Sequence, residues 1–163
     1  MTPFAIGVDL GGTNLRIAAV DEQGKLLEKL TTGTAVVRGR DTVIDEMTRA
    51  IRAVAANVQG ELLGIGIGIP GIIDMETGML RESPNLPGWH DYPVRDEIER
   101  RLEARVILEN DANAAALGEN WLGAARGMDD MLMLTLGTGV GGGIVLRGRI
   151  WHGMNGMAGE LGH

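Results

Sequence analysis

Four stretches of this chain place carboxylates, amides and hydroxyls beside glycine at points where strands should end. In VILENDANAAALGE (residues 106–119), Val106, Ile107 and Leu108 read as a short buried strand. Asn110 and Asp111 then fall where an alanine-rich helix begins. A carboxylate at the carboxyl end of a strand is well sited to act on a ligand. Asp111 also has a plainer use, as the N-cap of that helix. In DLGGTNLR (residues 9–16), Asp9 precedes Gly11 and Gly12, with Thr13 and Asn14 following. Backbone N–H groups in such a turn form a concave anion site, and Asp9 could orient a hydrated Mg²⁺. A plain hairpin would instead use Gly11 and Gly12 for positive φ. LGTGVGGG (residues 136–143) repeats the design, with Thr138 as a hydroxyl donor. GELGH (residues 159–163) would set Glu160 and His163 on one face if helical.

The elements that must carry these groups follow from periodicity. Residues 4–9, 15–20 and 26–32 read as three strands joined by tight turns, an antiparallel meander. Val43, Ile44, Met47, Ile51 and Val54 lie on one helical face, with Asp41 or Thr42 as cap, Gly60 as stop and Asp45–Arg49 as an i,i+4 pair. A glycine-alternating strand over residues 62–69 has one nearly bare face, which another backbone or a ligand could approach. A small hairpin turning at residues 76–78, a proline loop SPNLPGW (residues 83–89) and a second helix marked by Val94, Ile98 and Leu102 follow. After the Asp111 helix, MLMLTLG and GIVLRGRIW restart the opening pattern of strand, glycine-rich turn and strand. The fold expected is α/β, βββαβαβα, with the opening hairpin of a second related domain; the domains run over residues 1–126 and 127–163. Two G-x-G-x-x-G matches, starting at Gly66 and Gly137, do not open a helix and are not dinucleotide fingerprints. His90 and His152, beside Trp89 and Trp151, read as packing or surface residues.

Composition narrows the classes. A net charge of −7 without a basic cluster argues against nucleic acid as a partner. The absence of cysteine removes disulfides and thiolate metal sites. The longest apolar run, residues 62–73, is broken by four glycines and a proline and cannot span a bilayer, so a cytoplasmic protein is expected.

Taken in order, DLGGTNLR, GIGIPGIID, SPNLPGW, ENDANAAALGE, LGTGVGGGIVLRGRIWHG and GELGH resemble the ROK family of repressors and sugar kinases, its bacterial glucokinases above all. The resemblance implies a ribonuclease H-like domain of the actin and sugar kinase type. It also implies ATP-dependent phosphorylation of a hexose, glucose first, with Asp111 as the general base. It assigns Gly71, Asn85, Asn110, Asp111, Glu160 and His163 to the sugar. Asp9, Gly11, Gly12, Thr13 and Asn14 form one nucleotide loop, with Mg²⁺; Gly137, Thr138, Gly139 and Gly141 form the other. Family members continue past the histidine of GELGH into a cysteine cluster that binds structural zinc with it. His163 is here the last residue, so zinc is expected only in a full-length protein, which the resemblance implies is a homo-oligomer, a dimer. The chain thus reads as the first half of such an enzyme, expected to self-associate and to be inactive alone. Alternatives of another class are a non-catalytic sugar sensor of repressor type without its DNA-binding domain, and an actin- or chaperone-type ATPase, which lacks ENDANAAALGE and GELGH. Polyphosphate is a second possible donor.

Overall fold

The computed structural model describes residues 2–136 and 140–162, which form two compact units, Met1–Glu109 and Asn110–His163. The division falls earlier than the expected break after residue 126. The physical reason is that the helix beginning at Asp111 packs against the strands that follow it.

In the first unit, β1 (Pro3–Leu10), β2 (Asn14–Asp21) and β3 (Leu26–Gly33) form the expected antiparallel meander. Strict alternation along β1 buries Phe4, Ile6, Val8 and Leu10, and β2 adds Leu15, Ile17 and Ala19. Helix α1 (Arg40–Ala56) buries Val43, Ile44, Met47, Ile51 and Val54. Each fully buried aliphatic side chain contributes about 1.5–3 kcal/mol relative to exposure. The chain then returns as β4 (Glu61–Ile69), parallel to β1. A hairpin of β5 (Ile72–Asp74) and β6 (Met79–Glu82), helix α2 (Val94–Leu102) and β7 (Val106–Asn110) follow. The sheet order β3-β2-β1-β4-β7 is the ribonuclease H-like arrangement expected.

Three local expectations are corrected. Neither Asp41 nor Thr42 caps α1: the N-cap is Gly39 at φ +91, and the Thr42 hydroxyl bonds back to the Arg38 carbonyl. The helix stops at Ala56, before Gly60, whose missing Cβ instead makes room for the Thr2 carbonyl. Asp45 does not pair with Arg49, because Arg101 of α2 takes its Oδ1 at 2.6 Å. Arg101 also pairs with Glu97, the i,i+4 partner in its own helix.

In the second unit, α3 (Asp111–Leu122) lies on a three-stranded sheet of order β10-β9-β8, comprising β8 (Met131–Leu136), β9 (Val140–Leu146) and β10 (Arg149–Ile150). A Cβ on Gly143 would stand 2.6 Å from the Ala116 Cβ, so the alanines of α3 and the glycines of β9 permit one close approach. Leu132, Leu134 and Leu136, alternating along β8, are exposed. Among the described residues, no helix is long and apolar enough to cross a membrane.

Candidate functional site

The turn after β1 is tied in place from its own hairpin and from β3. The Gly11 N–H donates to the Asn14 carbonyl at 2.9 Å, and the Thr34 hydroxyl donates to the Gly11 carbonyl at 2.7 Å. Thr34 also gives its N–H to the Thr13 carbonyl. Sequence reasoning passed over Thr34; its only signal was a hydroxyl residue just beyond β3. Among the described residues no acceptor meets the N–H of Gly12 or Thr13, and Thr13 is exposed, so the turn fits an anion. Gly11 and Gly12 are not at positive φ, which corrects the plain-hairpin account of them. Gly12 is required for another reason. A Cβ there would lie 2.6 Å from the backbone carbonyl oxygen of Asn85, in the proline loop.

Asp9, at the end of β1, faces Arg16 across the β1–β2 register, and the two form an ion pair at 2.8 Å, both about half exposed. The carboxylate expected to orient a hydrated Mg²⁺ is thus already paired with a guanidinium. Asn14 opens β2 with its side chain exposed.

Gly71 follows β4 at φ +128, and a Cβ there would meet the Glu82 carbonyl at 2.2 Å and Ser83 Cα at 3.0 Å. Gly71, two residues beyond β4, therefore passes close to the start of the proline loop, and no side chain fits between them. Ser83 Oγ is buried at this crossing and has no hydrogen-bond partner among the described residues. Leu86 and Trp89 are buried, at 1% and 2% exposure, while Asn85 between them and Gly71 is exposed. The β5–β6 hairpin beside the loop is fastened by Arg81, which bonds Asp74 at 2.8 Å and Asp91 at 3.1 Å. A hydrogen bond from the Thr77 backbone, then the Arg81 guanidinium, lowers the Asp74 carboxyl to about 2.

The second unit holds the other group of residues. Asn110 is the N-cap of α3, its Oδ1 accepting from the N–H of Ala112 at 2.9 Å and of Asn113 at 3.2 Å. Asp111 is the first helical residue, with Oδ1 2.9 Å from the Ala112 N–H. Asn110 accepts from two first-turn N–H groups and Asp111 shares one of them, so both residues take part in capping α3. Asn113, which sequence reasoning missed, is 3% exposed on the inner face of α3. Its Oδ1 is 3.4 Å from where a Cβ on Gly159 would stand, next to Glu160. A polar residue interrupting an alanine run was the available signal. Gly141 sits on β9, where a Cβ would meet the Thr135 hydroxyl at 2.9 Å.

The first and second units therefore each gather part of the expected set: Asp9, Gly11, Gly12, Thr13, Asn14, Gly71 and Asn85 in one, Asn110, Asp111, Gly141 and Glu160 in the other. Gly137, Thr138, Gly139 and His163 lie outside the described residues. The segment leading to His163 is not helical as far as it is described, and Glu160 gives its N–H to the Met157 carbonyl in a turn; the face expected to be shared with His163 lies outside the described residues. His90 is exposed beside Asp91, and Trp89 is core, whereas Trp151 is exposed. Among the described residues no three His, Asp or Glu side chains gather to hold a metal, and His163, the zinc ligand expected, lies outside them.

The ROK family model matches residues 5–163. The chain belongs to the ROK family. A glucokinase from Thermotoga maritima is 48% identical over 158 residues, covering 97% of this ROK chain and 49% of the relative. The crystal structure of a ROK family glucokinase from Streptomyces griseus, in complex with glucose and AMPPNP, superposes with a TM-score of 0.88 at 36% identity, covering 98% of this chain and 50% of that one. A xylose repressor from Caldicellulosiruptor bescii is 32% identical over 162 residues, covering 97% of this chain and 40% of the repressor. The chain spans about half the length of the relatives it matches.

Proposed function

We propose that this ROK chain is part of an ATP-dependent hexose kinase that converts glucose to glucose 6-phosphate, with Asp111 as general base. The observation that carries this reading is the arrangement at the start of α3. Asn110 accepts from two N–H groups of the first turn, while Asp111, whose Oδ1 shares the Ala112 N–H, sets a carboxylate at the carboxyl end of β7. The similarity to the Thermotoga maritima glucokinase supports the substrate and reaction class.

In this reading the sugar hydroxyl gives its proton to Asp111 as its oxygen bonds to the γ-phosphorus of ATP, and the bond to ADP breaks. Such transfer depends on positioning and charge neutralisation more than on covalent chemistry. Mg²⁺, held through water by Asp9, would supply charge neutralisation on the phosphates. The N–H groups of Gly12 and Thr13 serve one phosphate group, and residues 137–141 serve the other loop. Asn85, Asn110, Glu160 and His163 hold sugar hydroxyls, since amides and carboxylates bridge neighbouring hydroxyls, and Gly71 contributes backbone. An ATP donor sets the reaction in the cytoplasm, and a homodimer completes the proposal.

The test is Asp111→Asn in the protein that carries this chain, assayed with ATP and with polyphosphate against glucose, mannose, N-acetylglucosamine and fructose. Turnover should fall about 10²–10⁴-fold while glucose affinity stays within about tenfold, because Asn keeps the shape and loses the base. Parent-like turnover would remove Asp111 from the role. A parent protein that binds a sugar but phosphorylates none would favour the repressor-type sensor, the reading that the xylose repressor's similarity supports.

A further inference from the structure

The proline loop that carries Asn85 is fixed from two sides. From below, Leu86 and Trp89 are buried in the core of the first unit, and Trp89 meets the Tyr92 ring edge-on at 5.6 Å between centroids. From above, Arg40, in the first turn of α1, donates from Nη1 to the Gly88 carbonyl at 3.2 Å. Its guanidinium carbon stands 4.3 Å from the centroid of the Tyr92 ring. Arg40 therefore grips the far end of the loop and the aromatic pair beneath it at once. The near end of the same loop rests its Asn85 carbonyl on the turn at Gly12, where no side chain fits.

We propose that Arg40 is a positioning residue: it clamps residues 83–89 so that Asn85 is held against the Gly12 turn and presented for the sugar. The proposal rests on the hexose kinase reading for its ligand, but the clamp itself is a property of the first unit alone. An arginine suits the task because its planar guanidinium stacks on an aromatic face while its N–H groups still donate. The neighbouring charges do not compete for it. Asp41 takes the Tyr92 hydroxyl and Arg101, and Arg38 goes to Glu46.

The decisive experiment compares the parent protein with Arg40→Ala and Arg40→Lys by two readouts. Hydrogen exchange followed by mass spectrometry reports the loop directly. Peptides covering residues 84–92 should exchange faster in the alanine variant, while peptides from residues 43–54 of α1 stay protected. Steady-state kinetics report the consequence. The glucose KM should rise about tenfold, the scale of one charge-assisted hydrogen bond, with kcat nearly unchanged, and Lys should rescue part of both effects. Unchanged exchange in residues 84–92 would overturn the clamp. Faster exchange with an unchanged glucose KM, in an active parent, would overturn its role in presenting Asn85. A fall in kcat alone, with exchange raised throughout α1, would mean that Arg40 merely supports the fold and would also overturn it. If the parent phosphorylates no hexose, the hexose kinase reading fails separately, and the exchange readout still decides whether Arg40 holds the loop.

Discussion

Two glycine-rich regions look alike in sequence and differ in space. In the first unit, Gly7 of β1 pairs with Gly66 of β4, with Gly64 alongside, and a Cβ at any of the three would meet nothing within 4 Å. In the second unit, β9 carries Gly142 and Gly143, where a Cβ would stand 2.4 Å from the Met133 carbonyl and 2.6 Å from the Ala116 Cβ. Gly159 and Gly12 belong with the crowded set, at 2.2 Å from the Gly142 carbonyl and 2.6 Å from the Asn85 carbonyl. None of these is at positive φ, so backbone freedom explains neither region. Crowding does explain the second. A glycine that another backbone touches is part of the mechanism that brings two segments together, whereas a glycine facing open space only leaves a surface flat. At Gly64 and Gly66 the bare face anticipated on β4 is open, whereas Gly68, further along the strand, is buried.

The largest effect expected from this contrast is at Gly143. Gly143→Ala would force its Cβ into the Ala116 Cβ, both atoms being held directly on backbone, and should destabilise by about 1–3 kcal/mol as overpacking does. Ala116→Gly added to it should recover part of the loss, a non-additivity expected only of residues in contact. Urea unfolding of the four proteins measures it. Simple additivity would mean that α3 does not ride on Gly143 and that β9 is no more crowded than β4.

Next comes Gly12→Ala, where the obstacle is a carbonyl in a loop rather than a helix. A side chain at this position reads, from the sequence, as a block to phosphate alone. The structure points its Cβ at Asn85 instead, so the proline loop must shift. The glucose KM should therefore rise several-fold and the nucleotide KM less, with a stability loss of about 1 kcal/mol, the low end for overpacking. Calorimetric titration of each ligand separates the two. A rise confined to the nucleotide would leave Gly12 as a phosphate contact and break its link with Asn85.

What the sequence disclosed, and what it did not, follows the same division between local and distant causes. The strand at β1 was legible as a short apolar run, its alternation of Phe4, Ile6 and Val8 only from the structure, and the apolar face of α1 because burial repeats at Val43, Met47 and Ile51. The start of α3 was legible in place but not in detail, since Asn and Asp are both good caps and only geometry shows that Asn110 accepts from two N–H groups. Asp45 was matched to Arg49 by helical spacing, yet Arg101 reaches it from α2 at 2.6 Å. Thr34 and Arg40 escaped notice because their partners, Gly11 and Gly88, are distant in sequence and are backbone carbonyls, which no residue type advertises.

The smallest effect, and the sharpest check on the open region, is Gly66→Ala. The position lies inside β4 and its φ is not positive, so alanine adopts the native backbone without strain. The added methyl meets no atom within 4 Å, so the folded state gains no clash. What changes is the unfolded chain, which has fewer conformations with alanine than with glycine. Such substitutions stabilise by about 0.4–1 kcal/mol. For a chain of this size that corresponds to a rise in Tm of roughly 1–4 °C. Thermal unfolding by circular dichroism resolves such a shift, and the glucose KM should stay at the parent value because, among the described residues, the added methyl meets no atom within 4 Å. The sign matters more than the size. A loss of stability would require a neighbour packed against that face of β4, and the flat stripe of Gly7, Gly64 and Gly66 would then belong with the crowded glycines of β9 as a place where two segments meet.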